Sequence, residues 1–240
     1  MTEQAASGPV MTPEEIEPHL EGHRQWLASE GSAGTRLNLS GANLEYAMFF
    51  EQNLSGADLS ATRLFNANLR DTILNGANLQ GADFSGASMV NADLTGASAD
   101  SAIFDKAVLP GAKLIETQLT GASFRHTNLL GADLARAILV DTDFTDANFA
   151  GGSSIGADYS NANLESAKFM MVDLTDALFL GARFDHTVVF GAITGGTRFE
   201  AANLSGANGF TAEQLADAYG NEHTQLPPGL DGLVMQGPPE

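Results

Sequence analysis

Few side chains in this chain are equipped for chemistry. His19 and His23 stand four residues apart, with Glu15 one turn earlier in a stretch of helical pattern. That spacing puts two imidazoles and a carboxylate on one helix face, where a divalent metal could sit. Asp141, Asp143 and Asp146 crowd one short segment and could attract a cation or share a proton. His126 and His186 complete the set of internal imidazoles. The simpler readings are stronger. Two histidines are too few for a closed zinc site, and His23 reads as a residue packed under a cap. The three aspartates read as a solvated acidic corner. There is no Cys, which removes thiol catalysis and disulfides and favours a reducing, cytoplasmic setting. The glycines recur at a spacing that fits corners and no phosphate loop. The expectation is therefore no catalytic residue, no cofactor and no metal, hence not an enzyme.

The elements that position these residues follow from one pattern. Every fifth residue from Leu39 to Leu204 is a core candidate, giving 34 consecutive units, and Leu or Phe fills 28 of the 34 centres. Two residues before each centre, Ala, Thr or Gly fills 31 of 34 positions, the exceptions being Leu37, Gln52 and Val172. A fixed short period marks a repeat architecture. Residues two apart in an extended segment point the same way, so each centre and the small residue before it share one interior. The residue between them points outward and is often Asn or Asp, as in Asn43, Asp58 and Asp93. The two residues after the centre must turn the chain, and Ser-Gly at 40–41, 55–56 and 85–86 supplies corner chemistry.

These units resemble the pentapeptide repeat family, whose motif is A(D/N)LXX. Clean copies are Ala42-Asn43-Leu44, Ala57-Asp58-Leu59, Ala132-Asp133-Leu134 and Ala202-Asn203-Leu204. The resemblance implies an all-β solenoid: a right-handed quadrilateral β-helix with four units per coil, about 8.5 coils and about 40 Å long at roughly 4.8 Å per stacked strand. Twenty-residue spacing then sorts the centres into columns. Phe84, Phe104, Phe124 and Phe144 fall in one column and should stack inside the coil. Ser154 and Thr194 put hydroxyls where Leu belongs.

The expected organisation is a disordered 1–11, an N-terminal helical cap over 12–36, the β-helix over 37–208, a C-terminal helical cap over 209–226 and a tail over 227–240. Thr12, Pro13 and Glu15 form a helix start, with Ile16, Leu20, His23 and Leu27 on one face and Gly31 as its stop. Thr211 and Gln214 form a second capping box, with Gly220 as the stop. No signal peptide or membrane span is visible.

Net charge is −19, which argues against direct binding to nucleic acid or to an anionic membrane. The outward positions single out one face. Around the centres Phe49 to Val189 it carries Met48, Phe50, Val90, Val108, Leu130, Met170, Val188 and Phe190. Its charges cancel, with Glu51 and Asp71 against Arg70 and Lys168, while the other three faces carry −4, −3 and −3. An aligned apolar column suggests a covered surface. The expected covers are a second copy (a homodimer), the tail residues Leu230, Leu233, Val234 and Met235, or an unidentified protein partner. The reading is a non-catalytic interaction scaffold. The alternative comes from the family resemblance. Some members mimic DNA, bind DNA gyrase, a topoisomerase, and protect it from quinolones or peptide toxins. The scaffold ranks ahead because the acids spread over three faces, no inserted loop breaks the register, and a helical cap precedes the repeats.

Overall fold

A computed structural model describes residues 8–237. Parallel backbone bridges join each residue before a centre to the one twenty positions on, from Asn38↔Asp58 through to Val188↔Asn208, without a slip. The period of four units per turn thus holds along the whole repeat. Each straight segment is so short that it makes a single bridge rather than a strand. The Leu39 amide donates to the Asp58 carbonyl at 2.9 Å, and the Asp58 amide donates back to Leu37 at 2.9 Å.

Corners alternate with these bridges. The Ala42 amide donates to the Leu39 carbonyl at 2.9 Å and closes a tight turn, and Gly41 takes φ +70°. That is the geometry of a type II turn, which demands a positive φ at its third residue. Many corners meet this demand without Gly: Tyr46 sits at φ +61°, Ala61 at +53° and Met171 at +55°. The Asn or Asp before the centre secures the same corner. Asp93 accepts from the Thr95 amide at 3.0 Å and from its hydroxyl at 2.6 Å. Asp173 does the same for Thr175. The outward Asn/Asp position is therefore a turn brace. The Ser60 hydroxyl, with its amide, holds the Asp58 carboxyl below the usual carboxylate range.

The interior is filled by the centres and the small residues two before them, which are almost all buried. Ala leaves room for the large centres of the same coil. Thr at that position stays satisfied: the Thr72 hydroxyl donates to the Phe49 carbonyl at 2.8 Å, and Thr187 donates to Leu164 at 2.7 Å. The expected Phe stack is present, with centroids 4.9, 4.6 and 5.0 Å apart along Phe84, Phe104, Phe124 and Phe144. A second ladder runs Tyr159, Phe179 and Phe199. The buried Ser154 hydroxyl is satisfied. It lies 2.8 Å from that of Tyr159, so the shorter side chain makes room for the larger one and gives it a hydrogen-bond partner. Thr194 donates to the Gln214 carbonyl at 2.7 Å.

The ends depart from expectation. Helix α1, Pro13–Ala28, starts at the Thr12/Glu15 capping box and buries Ile16, Leu20 and His23. Residues 1–7 lie outside the described residues. Residues 8–11, expected to be disordered, run along the first coil: the Met11 amide donates to Asn43 at 2.9 Å, and the Asn43 side chain donates to the Gly8 carbonyl at 3.0 Å. An open coil edge has free carbonyls to offer, and this segment takes them. Helix α2, Ala212–Ala216, begins at the expected Thr211/Gln214 box but ends at Asp217, well before Gly220. The reason is that the coil resumes. Tyr219 bridges Arg198, Gln225 bridges Asn203, and Gln236 bridges Tyr219. The tail therefore adds to the end of the stack and does not lie along the apolar face. Leu230, Leu233 and Met235 pack against the core there, while Val234 stays exposed.

The corner strain generates a test. Ala61→Gly removes a left-handed alanine and should raise stability by about 1 kcal/mol, whereas Gly76→Ala, whose added methyl would meet no atom, should lower it by about 1 kcal/mol through backbone strain alone. Thermal unfolding followed by circular dichroism reads both; equal melting temperatures for all three proteins would show that the corners carry no strain.

Candidate interaction surface

The outward column around Phe49 is set by alternation: residues flanking each buried centre must point to solvent. Met48, Phe50, Val108, Leu130 and Phe190 are exposed, Leu130 at 48% and Phe190 at 58%. Val90, Met170 and Val188 are half-buried between their neighbours. The backbone register places Met48, Val108 and Val188 in one bridging column, with Asn68, Ser88, Asn128, Asn148 and Lys168 between them. The apolar residues are thus brought onto one face but broken into a first-coil patch, Met48 with Phe50, and a later group from Val108 to Phe190. Met171, 70% exposed at a corner of the later group, belongs with it. It escapes a search of flanking positions because it occupies the turn.

Two features lie beyond that column. The first is a groove of about 440 Å³ between α1 and the first coil, lined by Val10, Met11, Pro13, Ile16, Leu20, Tyr46 and Met48, with Glu17 and Glu45 at its edge. Met48 joins it to the apolar face. No sequence signal marks it, because its walls are distant in sequence and meet only when α1 docks. The docking is specific. Gly34, at φ +74°, passes so close to α1 that an added methyl would lie 2.4 Å from the Gly22 carbonyl oxygen. That close crossing delivers the Leu37 amide to His23 Nδ1 at 3.1 Å. The Arg24 guanidinium reaches Gln52 at 3.4 Å on the coil while pairing with Glu17 and Glu21.

The second is the His23 imidazole itself. It is buried and stacks on Trp26 at 5.5 Å. Because Nδ1 accepts from Leu37, the ring proton resides on Nε2, which is buried without a partner. Burial pushes the imidazole pKa below its ordinary value, and the Arg36 charge adds to the effect.

The chemical candidates disperse. Asp143 braces Thr145 and lies 3.7 Å from Arg125. Asp146 pairs with His126 at 3.3 Å, and Asp141 sits at a different corner, its amide donating to Ser160. The three carboxylates do not converge. Among the described residues no group of three or more His, Asp or Glu is placed to hold a metal, and no helix is long and apolar enough to cross a membrane.

The family model described as pentapeptide repeats matches eight copies between residues 38 and 185. The chain belongs to the pentapeptide repeat family. Among curated proteins no match is found. Solved pentapeptide repeat structures similar to it include HetL from the cyanobacterium Nostoc, a protein involved in heterocyst differentiation regulation. It is 27% identical over 90% of this chain and 91% of that one, with a TM-score of 0.46. A protein of the Arabidopsis thaliana thylakoid lumen is 33% identical over 42% of this chain and 71% of its own, at a TM-score of 0.42. QnrB1, a plasmid-mediated fluoroquinolone resistance protein, is 14% identical over 78% and 90%, at 0.43.

His23 gives this pentapeptide repeat rod a pH-dependent end. Its folded pKa lies below the unfolded value of about 6.5, so as the pH falls the unfolded chain takes up the proton first. The stabilisation is complete above about pH 6.5 and is lost below it. Trp26, the single tryptophan, reports on it. Stability measured by Trp26 fluorescence should fall between about pH 7.5 and about pH 5.5 in the wild type and change less in His23→Gln, which cannot titrate. The same pH response in both proteins would assign it to other groups.

Proposed function

We propose that this chain is a non-catalytic protein-interaction scaffold: a right-handed rod of about 8.5 coils that presents its faces to a protein partner or to a second copy of itself. The observation that carries the reading is the division of labour between inside and outside. The interior is filled by the buried centres and the small residues two before them, and the Asn and Asp residues before the centres largely brace corners. What remains for function is the outer surface, where Leu130, Met171 and Phe190 stand exposed on a face whose charges cancel. Burying such residues contributes about 25 cal/mol for every Å² removed from water. A homodimer through this face fits best. Elsewhere two chains of −19 repel one another, and on this face the repulsion is least. The setting that suits a Cys-free acidic rod is the cytoplasm.

A second reading is favoured by the charge itself. An acidic rod has the gross form of a DNA mimic, and some pentapeptide repeat proteins engage DNA gyrase. The even spread of acids and the unbroken register support it less well than the scaffold. Sedimentation of the wild type and of the Leu130→Asp, Met170→Asp double variant separates the two. The scaffold reading expects self-association in the wild type that the variant loses. A monomeric wild type that inhibits gyrase supercoiling at sub-micromolar concentration would promote the mimic instead.

A further inference from the structure

The groove between α1 and the first coil leaves Tyr46 and Met48 exposed beside the cap. We propose that it is a docking site for a basic amphipathic helix of a partner protein. The proposal extends the scaffold reading, since it gives the rod a second, chemically defined contact.

Three observations carry it. The first is shape. One wall is the face of α1 bearing Pro13, Ile16 and Leu20, and the other is the first-coil corner with Tyr46, Ala47 and Met48. From Pro13 to Leu20 the helix rises about 10 Å, which matches two turns of a guest helix and its anchors at i, i+3 or i+4, and i+7. The second is unmet apolar surface. Tyr46 is 62% exposed and Met48 67% exposed, although both stand beside an apolar trough of ligand-sized volume. Tyr46 holds this place at φ +61°, where Gly would be less strained. A large aromatic at a left-handed corner is poorly suited to the fold and well suited to a binding wall.

The third is charge. The two spans that wall the groove, residues 12–21 and 43–48, contain Glu14, Glu15, Glu17, Glu21 and Glu45 and no Lys or Arg, with Glu17 and Glu45 at the groove's edge. Arg24 and Arg63 reach in from outside to Glu17, Glu21 and Glu45. With two guanidiniums against five carboxylates the surroundings of the groove stay negative. That repels a second copy of this chain and selects a cationic guest, whose Lys or Arg side chains would rim an apolar stripe. The groove therefore differs from the neutral face beside it, with which it shares Met48.

The test uses the full chain and three labelled synthetic peptides of about 16 residues, long enough to form helix. One carries Leu at helical spacing with Lys elsewhere. The second replaces Lys with Glu, and the third replaces Leu with Ala. Fluorescence anisotropy should show saturable binding of the Leu/Lys peptide only. Tyr46→Gly, which relaxes the corner while removing the wall, and Met48→Lys at an exposed position should each weaken it by at least about tenfold. Leu130→Asp on the neutral face should leave it unchanged. Equal binding of the Leu/Glu peptide, equal binding of the Ala/Lys peptide, no binding at all, or indifference to Tyr46→Gly and Met48→Lys would each overturn the proposal. So would self-association that Tyr46→Gly abolishes and the Leu130→Asp, Met170→Asp variant retains, which would place a second copy in the groove. A monomeric wild type that still binds the Leu/Lys peptide sinks the face-mediated dimer and leaves the groove standing.

Discussion

Parallel backbone hydrogen bonds between residues twenty apart are the constraint on which everything else in this molecule rests. The strict twenty-residue pairing of the repeat requires units of equal length, because a residue inserted into a straight segment would turn the inward side chains after it outward. The bridges run from Asn38 to Asn208 without interruption. Three requirements follow. The residue two before each centre must be small or must satisfy itself as Thr72 does. The centre must be large and apolar. The second residue after the centre must accept a positive φ, which Gly does freely and Tyr46, Ala61 and Met171 do under strain. One strained corner costs about 1 kcal/mol or more, and the ladder tolerates many because each is held by hydrogen bonds to both neighbouring coils.

The same constraint sets what the acidic side chains do in the fold. A carboxylate before a centre is held by the following Ser or Thr, as Asp93 is by Thr95 and Asp173 by Thr175. Column neighbours then fall twenty residues apart on a convex surface, where Asp143 and Asp146 find Arg125 and His126 and not each other. Large side chains fill the coil interior, so the outward positions and the ends carry the molecule's individual features.

The ends are where regularity stops. An open coil exposes backbone and core, and each end covers both with non-repeating chain. At the start, α1 buries Ile16 and Leu20 on the first coil, and the chain returns past Gly34 to hand an amide to His23. At the finish, Tyr219, Gln225 and Gln236 continue the ladder around a single turn of helix. A smooth helix laid on a square coil edge cannot match it everywhere, and the mismatch beside Tyr46 and Met48 is the groove.

The sequence alone determined the coil. Period, inward small residues, the Phe stack and both capping boxes were all legible, because each depends on contacts a few residues away or on an unvarying twenty-residue register. The turn-bracing role of Asp93 and Asp173 was present in the same local pattern, as an acid two before Thr. Tertiary structure alone decided the rest. Ser154 gained its partner because Tyr159 happened to fill the adjacent column. Residues 8–11 gained order from the Asn43 edge, and the tail joined the stack instead of the face. Whether Tyr46 and Met48 formed a groove depended on how α1 docked. Such features depend on one packing of dissimilar elements, with no repeat to average over, and no spacing along the chain records the angle at which a helix meets a coil.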